Sequence, residues 1–227
     1  MSVMLDKQYT PAISELDVRH KVLRNTYWLL ALSMLPAVAG ALLGVMFQIP
    51  VPRGILGFLL FLGVTWGFMY GIEKTKDSSA GILMLLGFTF FMGLWLTPLL
   101  SRILGYSNGG MLIMMAFGGT ASILAVMATI ATVSKRDFSM LGKWLTAGVL
   151  VLILASVAAI VFQLSALAIV ISVVAVAIFS AYILYDVQQI VNGGETNYIR
   201  AATMLFIDVY MIFSNLLALV GLGGSRE

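Results

Sequence analysis

The 227-residue chain is 61% hydrophobic and only 10% charged, with a mean hydropathy of +1.03. These values exclude a water-facing exterior, because a soluble domain keeps roughly a quarter of its residues charged. The formal charge of +3 does not indicate nucleic acid, since the basic residues are scattered over the connecting segments without a patch or motif, and the lack of cysteine with a single histidine, His20, excludes disulfides, thiol catalysis and a thiolate or His-rich metal site.

In chain order, residues 1–25 are polar and mixed in charge and lack the short apolar core and small-residue cleavage site of a removable signal peptide. They read as a cytoplasmic N-terminal tail. A hydrocarbon core of about 30 Å takes about 20 apolar residues in a helix, and such runs occupy 26–47, 54–72, 81–100, 110–133, 144–162, 164–191 and 201–221. The expected fold is all-α integral membrane, with seven transmembrane helices forming one domain over 26–221 and a short C-terminal tail at 222–227. The loops are too short for a soluble domain, and there is no internal repeat.

Pro36 and Pro98 fall inside spans and predict kinks, and Gly118-Gly119 predicts a loosened fourth helix. Gly40 and Gly44 on the first helix, and Gly63, Gly67 and Gly71 on the second, recur at four-residue spacing. Small residues at this spacing let helix backbones approach in lipid, either within the bundle or at a dimer interface.

Orientation follows from the basic residues of alternate loops, because positive charge is retained on the cytoplasmic side. Lys7, Arg19, Lys21, Arg24, Lys74, Lys76, Lys135, Arg136, Lys143 and Arg200 fall on one side, and only Arg53, Arg102 and Arg226 on the other. The N-terminus is therefore expected in the cytoplasm and the C-terminus outside it.

Ionisable residues are costly in hydrocarbon and by default mark function. Two carboxylates lie within spans: Asp186 in Tyr182-Ile183-Leu184-Tyr185-Asp186-Val187-Gln188-Gln189, and Asp208 in Phe206-Ile207-Asp208-Val209-Tyr210. At about 1.5 Å per residue both lie roughly 7 to 11 Å inside the ends of adjoining helices. Facing one another, they cannot both ionise cheaply and would share a proton; apart, each would bond a polar neighbour and orient its own helix. The pair is a candidate pH switch: held singly protonated it clasps the two helices, and fully ionised it repels and would attract a cation. Tyr182 and Gln189 lie on roughly the same helical face as Asp186, and Asn215 two turns beyond Asp208. These three either extend a polar track toward the exterior or make ordinary interhelical hydrogen bonds.

Two further stretches, His20-Lys21-Val22-Leu23-Arg24-Asn25-Thr26-Tyr27 and Gly193-Gly194-Glu195-Thr196-Asn197-Tyr198-Ile199-Arg200-Ala201, together with the flanking aspartates, resemble the Bax inhibitor-1 (transmembrane Bax inhibitor motif) family in its bacterial YccA-like branch. The resemblance implies a fold in which six helices surround a central seventh. It also implies a di-aspartyl pH sensor, matched by Asp186 and Asp208, that regulates a cation leak, chiefly of calcium. Family members with leak activity carry an arginine in the second helix that locks the closed state, and residues 54–72 contain none. YccA-like members are associated with the membrane-bound protease FtsH as substrate and modulator, and the polar segment 1–24 suits a protease that starts from an exposed end. The implied location is the bacterial inner membrane, with the C-terminus periplasmic.

An intramembrane aspartyl protease is the alternative that paired carboxylates raise. Such proteases carry Gly-x-Gly-Asp at the second aspartate, whereas Leu205-Phe206-Ile207 precede Asp208, so no enzyme activity is expected. No cofactor is expected either, and a retinal Schiff base is excluded by the lack of lysine in the seventh span.

Overall fold

The computed structural model describes the backbone of residues 3–134 and 136–223, and side chains over 18–134 and 136–222. Eight helices follow one another: α1 (Val3–Met46), α2 (Gly54–Thr75), α3 (Ser79–Trp95), α4 (Thr97–Leu104), α5 (Gly109–Val133), α6 (Leu141–Val161), α7 (Ser165–Val191) and α8 (Tyr198–Gly223). Among the described residues there is no strand. Among the described residues six helices are each long and apolar enough to cross a membrane, and α3 with α4, bent by 43°, brings the number to seven if the pair is counted as one span. Of the segment expected as a tail, residues 3–25 belong to α1; the side chains before Val18 lie outside the described residues.

The bend in the third span has a local cause. Pro98, second residue of α4, has no N–H to give to the Leu94 carbonyl one turn back. The Thr97 hydroxyl donates to that carbonyl instead, at 2.6 Å, so the break leaves no orphaned acceptor there. α1, by contrast, runs through Pro36 as one helix.

Glycines set the approach of α1 to α3. A Cβ on Gly40 would collide with the Phe90 carbonyl, one on Gly93 with the Ala37 carbonyl, and one on Gly44 with the Thr97 side chain. The stripe on α2 behaves differently: Gly63 and Gly67 face open space, and only Gly71 has a neighbour, Met84. α2 reaches α3 through its aromatic side instead, with Phe61 against Trp95 at 5.3 Å and Phe68 against Phe88 at 5.7 Å between ring centroids.

α8 packs on α1, α2, α3, α4, α5 and α7. Its inner face carries Ala202, Leu205, Phe206, Ile212 and Leu217, all buried, against Leu85, Phe88, Ile183 and Val187. Large apolar residues such as Trp28, Leu35, Leu56, Trp66, Phe117 and Leu154 are exposed on the outside. That arrangement fits lipid rather than water around the bundle.

Candidate functional site

The site is built around the turn from α7 to α8. α7 ends where Gly193 takes φ +79, a left-handed conformation natural to glycine at a helix end, and its N–H donates to the Ile190 carbonyl at 3.1 Å. The N–H groups of Gly194 and Glu195 both donate to the Gln189 carbonyl, at 2.8 and 3.0 Å. A Cβ on Gly194 would collide with the Gln189 side chain, and one on Gly193 would crowd the Arg19 guanidinium. At Gly193 it is the positive φ that favours glycine, whereas the neighbour of Gly194 is the end of a side chain that can move.

The rest of the motif starts α8. The Asn197 side-chain oxygen accepts from the N–H groups of Ile199 and Arg200, at 3.0 and 3.1 Å, satisfying donors that a helix start leaves without partners. Its Nδ2 donates to the Lys76 carbonyl at 3.0 Å and to Asp77 Oδ1 at 2.9 Å, so one amide both caps α8 and holds the α2–α3 loop. Glu195 accepts from the Asn197 N–H at 2.9 Å and pairs with Arg200 Nε at 3.2 Å. Arg200 also reaches Glu73 at the end of α2, at 3.8 Å. On the α7 side, the buried amide of Gln188 accepts from the Phe138 N–H at 2.6 Å and donates to the Arg136 carbonyl at 2.5 Å. The α5–α6 loop is thus fixed to the same turn.

One turn above this platform, Asp186 and Asp208 come within hydrogen-bonding reach of each other across α7 and α8. They are 9% and 3% exposed. Oδ2 of Asp208 is buried without a hydrogen-bond donor among the described residues. The pair lines a cleft of about 400 Å³ bounded by α6, α7, α8 and the turn. Tyr182 and Gln189 also line it, and the Tyr182 hydroxyl meets Thr146 of α6 at 3.3 Å. Asn215 does not line the cleft: its amide donates to the Met211 carbonyl of its own helix at 2.8 Å. Ile183 on α7 and Ile212 on α8, each 0% exposed, stand one turn deeper than the aspartates.

Sequence reasoning did not select Arg200, Glu195, Glu73 or Gln188 as site residues. Arg200 lines the cleft beside the pair, and its signal was the repeat Arg200, Met204, Asp208 along one helical face. Gln188 gave no such signal, because its partners are backbone atoms about fifty residues away. Among the described residues no group of three or more Asp, Glu, His or Cys is placed to hold a metal ion. The two carboxylates alone are fewer than the six or more oxygens that a resident calcium or magnesium ion gathers.

A family model described as "Inhibitor of apoptosis-promoting Bax1" matches residues 19–226. The chain belongs to the Bax inhibitor-1 family. Among its relatives, "Modulator of FtsH protease YccA" of Escherichia coli is 39% identical over 202 residues, covering 89% of this chain and 90% of that protein. An uncharacterised protein of Neisseria meningitidis is 36% identical, with 88% of this chain and 89% of that protein covered. Another, of Pseudomonas aeruginosa, is 34% identical over 226 residues, 99% of this chain and all of that protein. Within this Bax inhibitor-1 protein, α2 carries no arginine between Gly54 and Ile72, and Arg200 at the start of α8 lines the cleft with the aspartates.

Proposed function

We propose that this protein is a proton-responsive regulator in the bacterial inner membrane, in which Asp186 and Asp208 govern a pH-sensitive cation leak, chiefly of calcium. In this reading α8 is the central helix, enclosed by the other six spans. The observation that carries it is the approach of two buried carboxyl groups, one with an oxygen that has no donor among the described residues. A single proton between such groups makes a hydrogen-bonded clasp of α7 to α8, and its loss leaves two like charges in mutual repulsion. Calcium is then the permeant ion, drawn to the ionised pair in transit. The buried Ile183 and Ile212 correspond to a shut state.

The test is calcium flux in proteoliposomes across pH 5.5 to 8. The wild type should pass calcium in a pH-dependent manner, and the double variant Asp186→Asn with Asp208→Asn should lose that dependence. Flux identical in the two proteins would remove the aspartates from the mechanism.

A second role is favoured by the relative named a modulator of FtsH protease, 39% identical over nearly the whole chain. We infer that this protein likewise modulates FtsH and is itself degraded by it from residues 1–24. Deleting residues 2–17 should then lengthen its half-life in cells containing the protease; an unchanged half-life would rule out degradation from that end.

A further inference from the structure

We propose that the cleft over the aspartate pair is a binding site for an amphiphilic organic cation, an ammonium group carried on a flat apolar body. The proposal concerns what the cleft accepts, and it stands whether or not the pair passes calcium. Size is the first ground. About 400 Å³ lies in the range of small-molecule pockets, roughly 300 to 1,000 Å³, and is far more than a bare ion occupies.

The lining is the second ground. Phe179, Tyr182 and Tyr185 face the cleft from successive turns of α7. The rings of Phe179 and Tyr182 stack at 6.0 Å, and those of Tyr182 and Tyr185 meet edge to face at 6.5 Å. Aromatic faces attract ammonium groups through the ring quadrupole. Val149, Met204 and Ile207 complete an apolar wall, which a hydrated inorganic ion does not need and a hydrocarbon body does.

The third ground is the polar complement. Asp208 Oδ2 is a buried acceptor awaiting a donor, and leaving such a group unpaired is costly. An ammonium supplies that donor and two more, and the neighbouring Asp186 carboxyl is within reach of them. Among the described residues no group of three or more His, Cys, Asp or Glu is placed to hold a metal ion there. The charges facing the cleft are Asp186, Asp208 and Glu195 against Arg200. Arg200 is held by Glu195 and Glu73, so its guanidinium does not oppose a second cation at the pair.

The experiment is isothermal titration of the full-length protein in lipid nanodiscs with tryptamine, and with tryptophol, which has the same ring and chain but a neutral hydroxyl. Tryptamine should bind saturably to the wild type, at least about tenfold more tightly than tryptophol. Asp208→Asn, close in shape to the native residue, should abolish that preference, and Tyr182→Ala should weaken tryptamine while leaving the preference for amine over alcohol. Equal binding of the two compounds, or no saturable heat with tryptamine, would overturn the proposal on the wild type alone, whatever the variants do. Calcium flux is measured separately, so failure of the leak and failure of amine binding are distinguishable.

Discussion

Asn197 does two jobs with one side chain, and they can be separated chemically. Its oxygen caps α8 through the N–H groups of Ile199 and Arg200, while its Nδ2 donates to Lys76 and Asp77 across the basic end of the bundle. Asn197→Ala removes both: a helix cap contributes about 1 kcal/mol, and each net hydrogen bond about 0.5 to 1.5 kcal/mol. Asn197→Ser keeps an oxygen for the cap and loses the clamp. Thermal unfolding in detergent should therefore rank wild type above Ser and Ser above Ala. A Ser variant as stable as the wild type would mean that the clamp on the α2–α3 loop contributes nothing. The sequence stretch Gly193-Gly194-Glu195-Thr196-Asn197-Tyr198-Ile199-Arg200 is conspicuous as a pattern, yet these jobs are not legible in it. The partners of Asn197 sit about 120 residues earlier, and no local spacing reports a contact of that kind.

At the scale of elements, two glycine stripes that look alike in sequence have opposite surroundings. Gly40 meets α3 and Gly44 meets Thr97 at the start of α4, and Gly93 of α3 meets the α1 backbone; Gly63 and Gly67 of α2 meet nothing. Gly93→Ala forces a methyl against the Ala37 carbonyl, a backbone atom that cannot rotate away, so α1 and α3 must separate. Overpacking of this sort costs about 1 to 3 kcal/mol. Gly67→Ala adds its methyl in open space and gains helix propensity of up to about 1 kcal/mol. The expected result is a lowered melting temperature and yield for Gly93→Ala and an unchanged or higher melting temperature for Gly67→Ala; equal loss in both would contradict the crossing described for α1 and α3. The spans themselves were legible, because length and apolarity fix where a helix can lie in lipid, and the turn between the two acid-bearing helices placed Asp186 and Asp208 at matched depth. Which side of each helix has a neighbour was not, because nearly every face is apolar. Pro98 marked the bend in the third span, but the hydroxyl of Thr97 that completes the Leu94 carbonyl follows only from the geometry of the break.

The whole molecule constrains its own topology through the same side chains. Asn197 holds residues 76 and 77, and Gln188 holds residues 136 and 138, so the α2–α3 loop, the α5–α6 loop and the α7–α8 turn lie at one end of the bundle. An even number of crossings must separate the first two loops. If α5 is one crossing and the bent pair α3 and α4 supplies the other, the chain has seven spans and its two termini lie on opposite sides. If α3 and α4 instead returned to the side they left, the α5–α6 loop would stand at the far end, out of reach of Gln188. The end so defined also carries Lys74, Lys76, Arg136, Lys143 and Arg200, and is expected on the cytoplasmic side if positive charge is retained there. Because the chain has no cysteine, single-cysteine labelling reads this directly. In intact spheroplasts, a membrane-impermeant maleimide should modify Ser107→Cys and Gln163→Cys at the outer end and spare Ser139→Cys and Thr196→Cys until the membrane is opened. All four positions are exposed to solvent or headgroups, so protection reports sidedness and not burial. Labelling of Ser139→Cys in sealed spheroplasts with Thr196→Cys protected would break the shared end, and with it the seven-span count; the reverse pattern at all four positions would keep the count and invert the protein in the membrane.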